Sequence, residues 1–141
     1  MRKRSDYLIV TNNPLVRDCL GVTYSVRFLD GATLRQVLLT VRDMVQSGHA
    51  LYTHPLSGSV KPNETPYKSV LVSSRSSELD VFAESVISDS LTLAESFPKK
   101  DIPLTDKLLR DFQLIDYTLL CSALDYDAEA GLRAGRDAGR D

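Results

Sequence analysis

The spacing of apolar residues changes several times along this chain, and that alternation restricts its fold more than any other feature. Residues 7–11 (YLIVT) form a continuous apolar run of the length and β-branched character of a buried strand. Similar short runs recur at 23–29, 50–53 and 67–73. Between the second and third runs the period shifts to that of a helix, with Leu34, Val37, Leu38, Val41, Met44 and Val45 on one side. Thr33 and Gln36 match a capping box at its start, and Gly48 supplies a stop. Further helices are predicted over 77–97 and 105–124. The first has an inner face of Leu79, Phe82, Ala83, Val86, Ser90, Leu93 and Phe97. Strands alternating with helices predict an α/β fold: a small three-layer sandwich with a four-stranded, largely parallel sheet and helices on both faces. The expected strand order is 2-1-3-4, with the direction of the first two strands relative to each other left open by their short connection.

Length and composition bound the rest. A chain of 141 residues suits one domain, here residues 1–125. Residues 126–141 turn into an Ala-, Gly-, Arg- and Asp-rich stretch with an AGRD repeat, read as a flexible tail or frayed helix. The formal charge of -2 favours neither nucleic acid nor an anionic membrane as partner. No apolar run approaches the roughly 20 residues of a membrane helix. Two cysteines, Cys19 and Cys121, form neither a disulfide framework nor a CxxC pair. A reducing cytoplasmic setting follows, and nothing calls for a metal or a cofactor.

Chemistry concentrates in two places. After the third predicted strand, residues 52–68 (YTHPLSGSVKPNETPYK) are turn-forming throughout. They offer the hydroxyls of Thr53, Ser57 and Ser59, the imidazole of His54, the amide of Asn63, the carboxylate of Glu64 and the ammonium groups of Lys61 and Lys68. Ser57-Gly58-Ser59 can turn backbone N–H groups inward as anion-binding nests do, with a lysine adding charge. His54 is the candidate acid or base. A compact loop held by its own hydrogen bonds is the structural alternative. The motif is not a phosphate loop of the GxxxxGK[ST] kind, and it leads into a strand. The second place is the turn after the first strand, where Asn12, Asn13 and Pro14 make either a helix cap or amides presented to a ligand. In an open α/β sheet, ligands sit where neighbouring strands send their connections to opposite sides, so the loops after the first and third strands are expected to meet.

Asp116 is the one carboxylate inside the apolar arc predicted for the last helix (Leu108, Leu109, Phe112, Ile115, Leu119 and Leu120), so it requires a partner. The opposite flank (Leu114, Tyr117, Cys121 and Leu124) is apolar too, which predicts a homodimer through this helix.

The segments TNNPLVRD (11–18) and GHALYTHPLSGSVKPNETPYKSVLVS (48–73) resemble the GrdX family, small proteins encoded with the glycine, sarcosine and betaine reductase complexes of amino-acid-fermenting anaerobes. The likeness spans roughly 7–124. It implies a cytoplasmic accessory role beside such a reductase, with reductase subunits as partners, and supplies no catalytic residues. The preferred reading is a non-catalytic protein that binds a small anionic metabolite at 52–68. The alternatives are a small hydrolase or transferase using His54 as base, and a protein-interaction module for reductase subunits.

Overall fold

The computed structural model describes residues 2–57, 64–97 and 103–138. Four strands form one sheet: β1 (Tyr7–Thr11), β2 (Ser25–Phe28), β3 (His49–Leu51) and β4 (Ser69–Ser76). Five α-helices occur among the described residues: α1 (Pro14–Leu20), α2 (Leu34–Gln46), α3 (Val81–Ser96), α4 (Asp106–Leu124) and α5 (Ala128–Ala138). None of the helices is long and apolar enough to cross a membrane.

The fold is α/β, but the sheet is mixed and mostly antiparallel rather than largely parallel. Its order is β2-β1-β4-β3, not 2-1-3-4. Only β1 and β2 run parallel; β4 is antiparallel to both β1 and β3. Two physical reasons account for the difference. A parallel crossover needs an element that carries the chain back across the sheet, and among the described residues no helix lies between β3 and β4, so the chain returns antiparallel. Burial also favours β4 as the inner strand. Its first five residues are all buried, whereas the three residues of β3 are only half-buried and its register is interrupted. The seven-residue α1 suffices to bring β2 back parallel to β1.

Alternation along the inner strands divides the apolar residues into two clusters. Val10, Val70 and Val72 pack with Leu38, Val41 and Val45 of α2 and with Ala83 and Ile87 of α3. Ile9 and Leu71 pack with Val16 and Leu20 of α1 and with Tyr117, Leu120 and Cys121 of α4. The capping box of α2 forms as predicted: the Gln36 N–H donates to Thr33 Oγ1 (3.1 Å) and the Thr33 N–H to Gln36 Oε1 (2.8 Å). Gly48 ends the turn after α2 at φ +102, where a Cβ would strike the Ser77 carbonyl oxygen.

Two helix faces differ from their projections. α3 is capped by Asp80 rather than Ser77, and its buried side is Ala83, Ile87, Ser90, Leu91 and Ala94. The small side chains at 83, 90 and 94 let α3 approach α2 closely, which turns Phe82 outward to 77% exposure. On α4 the buried residues are Tyr117, Leu120 and Cys121; of the arc predicted to face inward only Leu120 is buried, Leu108, Leu109 and Phe112 are half-buried, and Ile115 and Leu119 are exposed.

The segment read as a flexible tail contains α5, which seats against α1. Ala128 and Leu132 join the second cluster, and the Tyr117 hydroxyl donates to the Ala128 carbonyl (2.6 Å). The glycines explain the seat. A Cβ at Gly135 would lie 2.6 Å from Cys19 Sγ and 3.3 Å from its Cα, and one at Gly131 would strike the Tyr117 hydroxyl. Glycines four residues apart therefore give α5 a flat side that rests almost on the α1 backbone at Gly135 and against the Tyr117 ring of α4 at Gly131. Composition hid this, because the side buries backbone and small groups rather than large apolar chains. Gly135→Leu is expected to lift α5 from α1 at a cost of roughly 1–3 kcal/mol, seen as rapid tryptic cleavage at Arg133 and Arg136 while the sheet stays folded.

Candidate functional site

The C-terminal end of β1 and the start of β4 lie side by side, with Thr11 opposite Ser69. Around this pair the sequence places polar side chains that burial forces into mutual contact. Thr11 and Asn13 are fully buried, and Asn12, Lys68 and Ser69 nearly so.

Asn13 caps α1, its Oδ1 accepting from the Leu15 N–H (3.0 Å). Its Nδ2 donates to the Gln113 carbonyl (2.9 Å) and to Asp116 Oδ2 (3.0 Å), both on α4. The Asn13 N–H donates to Thr11 Oγ1 (2.9 Å), which leaves the Thr11 hydroxyl to donate to Ser69 Oγ (2.7 Å). The Ser69 hydroxyl then donates to Asp116 Oδ2 (2.6 Å), while the Ser69 N–H donates to Asp116 Oδ1 (3.0 Å). In this order every hydroxyl both accepts and donates, and the chain of bonds ends on a carboxylate that accepts three. Burial pushes the Asp116 carboxyl above the usual carboxylate range, while the bonds from Ser69 and Asn13, and then the Lys68 charge, pull it back.

Asn12 locks the returning loop. Its Nδ2 donates to the carbonyls of Ala32 and Pro66 (2.8 Å each), and its Oδ1 accepts the Lys68 N–H (2.8 Å). The Lys68 ammonium donates to the Ser57 carbonyl (2.9 Å), bridging the neck of the loop. Burial lowers its pKa from 10.5, opposed by the nearby Asp116 charge. Gln113 Nε2 donates to the Tyr67 hydroxyl (2.8 Å), adding a second tie from α4 to the same neck.

β1 and β3 both run antiparallel to β4, so the two loops singled out by sequence leave the same end of the sheet, with the start of β4 between them. The structure joins Asn12, Asn13 and Lys68, and reaches Ser57 through Lys68. Thr53 instead serves the sheet, where its Oγ1 accepts the Leu71 N–H (2.9 Å) and prolongs the β3–β4 ladder by one side chain. His54 is exposed, and its Nδ1 accepts the Leu56 N–H (3.1 Å). Gly58, Ser59, Lys61 and Asn63 lie outside the described residues; Glu64 is half-buried. Sequence reasoning did not place Thr11, Ser69, Gln113 or Asp116 in the site. The signal for Asp116 was present, since a carboxylate beside an apolar face has to be answered by donors from another element. Among the described residues, no group of three or more His, Cys, Asp or Glu could hold a metal ion.

A family model described as GrdX-like protein matches residues 8–125. No curated protein and no solved structure matches the chain. The matched residues contain the whole network from Thr11 to Asp116.

Asp116→Asn tests the network directly. The amide opposes a donor with a donor at one of its two positions, so the variant is expected to lose roughly 1–3 kcal/mol in urea unfolding.

Proposed function

The chain belongs to the GrdX family, and we propose that it acts as a non-catalytic accessory protein of a glycine, sarcosine or betaine reductase system, binding a small anionic metabolite at the 52–68 loop. The observation that carries the reading is Lys68. It is nearly buried at the loop neck, and the Ser57 carbonyl takes one of its three ammonium protons among the described residues. A cation whose pKa burial lowers gains from an added anion, because the anion restores the solvation that burial removed. A carboxylate or acyl phosphate has the charge and size to take this role.

The hydrolase or transferase alternative depends on His54 as base. With Nδ1 accepting a backbone N–H, the neutral imidazole carries its proton on Nε2, and its one basic lone pair is engaged by the Leu56 N–H. The neighbouring hydroxyls of Thr11 and Ser69 are turned into the Asp116 network and away from solvent. Both observations support binding rather than turnover.

Acetyl phosphate and phosphate are expected to raise the melting temperature of the wild type with increasing concentration, and to do so much less for Lys68→Met. Because anions also stabilise proteins by exclusion from their surfaces, the difference between the two proteins is the readout. Equal shifts would reject the site.

A homodimer through α4 is part of the same reading. Leu108, Phe112, Ile115 and Leu119 follow a 4-3-4 spacing along one side of α4, with Ile115 and Leu119 41% and 44% exposed. Light scattering is expected to give a dimer mass for the wild type and a monomer mass for Leu119→Glu; a wild-type monomer at high protein concentration would reject the dimer.

A further inference from the structure

The sheet ends on β2, which among the described residues pairs with β1 alone. Its ladder is regular over all four residues, from Leu8 opposite Ser25 to Thr11 opposite Phe28. The Leu29 N–H donates to the Thr11 carbonyl (2.8 Å), so Leu29, Arg27 and Ser25 direct their backbone groups toward β1. By alternation, the N–H and C=O groups of Val26 and Phe28 point outward. The opposite edge differs: β3 has three residues and an interrupted register, features that blunt an edge against further pairing.

An open cleft of about 980 Å³ runs beside the start of β2, lined by Arg4, Arg17, Val22, Tyr24, Ser25 and Val26 among others. Val26 and Tyr24 belong to the α1 side of the sheet. Phe28, two residues beyond Val26, shares that side, and the Arg17 guanidinium lies 4.6 Å over its ring. Arg4 stands on the same side, 5.9 Å from the Tyr24 ring centre. Arg17 is paired with Asp18 at 2.8 Å, but both side chains are about half exposed, so water screens the pair and another carboxylate can replace Asp18 at small cost. Arg27, between Val26 and Phe28, projects to the other side and is exposed. Among the described residues, the outer edge of β2 thus combines backbone groups that pair with no other strand with arginines on both faces, Asp18 being the one acid that lines the cleft.

We propose that β2 is a docking edge for an extended segment of a partner protein with acidic side chains at alternate positions. The segment adds as a fifth strand, exchanging backbone hydrogen bonds with Val26 and Phe28. Side chains two residues apart fall on one face of an added strand, so alternate acids meet Arg17 and Arg4 in the cleft while the intervening residues lie on the Arg27 side. Backbone pairing supplies a sequence-independent part of the binding, and the arginines select an acidic segment over a basic one.

The test uses the full chain, labelled with 15N, and the peptide Thr-Glu-Val-Glu-Val-Glu-Thr, with Thr-Lys-Val-Lys-Val-Lys-Thr as its charge-reversed counterpart. The acidic peptide is expected to shift the amide resonances of Val26 and Phe28 saturably, and added salt to weaken it. The double variant Arg4→Glu, Arg17→Glu is expected to bind about tenfold more weakly or worse. Val26→Pro removes one outward N–H without touching the ladder to β1 and is expected to abolish binding. Should that variant fail to fold, the arginine variant still decides. Equal binding of the lysine peptide, shifts confined to other elements, or absence of any shift overturns the proposal, leaving the arginines as charges that guard an open edge. Concentration-dependent dimerisation of the free protein through β2 also overturns it, since a second copy would then be the occupant.

Discussion

A single carboxylate on α4 gathers donors from two other elements at one corner of the sheet. Asp116 accepts from the amide that caps α1, from the hydroxyl of the first residue of β4 and from that residue's own backbone N–H. The cap of α1, the start of β4 and one face of α4 therefore share one largely buried carboxylate. Apolar packing alone does not define this corner, because the neighbouring positions 11–13 and 68–69 are polar and nearly solvent-free. A buried charge with all its donors in place fixes the relative position of three elements more sharply than interchangeable aliphatic contacts do. The cost of breaking one partner exceeds the net gain from making the set, which gives the corner its all-or-nothing character.

Much of the fold was legible in the sequence where period and capping chemistry agree. α2 is the clearest case: its apolar stripe and capping box both define the same start. The stretch from Val70 to Val72 announced a strand but not its place in the sheet, because a continuous apolar run says that both faces are covered and nothing about neighbours. The absence of a helical period between β3 and β4 was the available sign that these strands return antiparallel. The faces of α3 and α4 were misjudged for different reasons. On α3, projection weights large apolar side chains, whereas packing selected the small side chains of Ala83, Ser90 and Ala94; on α4 two flanks are apolar, and packing selected the one with Tyr117 and Cys121.

The candidate site was half legible. Turn residues and charge marked 52–68, and Asn12 and Asn13 marked the turn after β1. Their union through Ser69 and Asp116 was not visible, since Asp116 lies 103 residues from Asn13 and 47 from Ser69. Long-range hydrogen bonds leave no periodic trace. What the sequence does carry is the mismatch: a carboxylate where a helix should be apolar, and a pair of asparagines where one would cap. Each needs a partner: Asn13 answers Asp116, while Asn12 answers the backbone of Ala32, Pro66 and Lys68.

The seat of α5 on α1 has a consequence for how the protein comes into being. α1 is synthesised well before α5, yet they cover the same cluster around Ile9 and Tyr117. Until α5 arrives, Cys19 and the Tyr117 hydroxyl lack the backbone that shields them. Contacts between distant parts of a chain are slow to close, because the intervening loop entropy must be lost first. The α2–α3 side of the sheet can consolidate earlier, from elements nearer to one another in sequence. A nascent chain therefore passes through an interval in which one side is packed and the other still lacks α5.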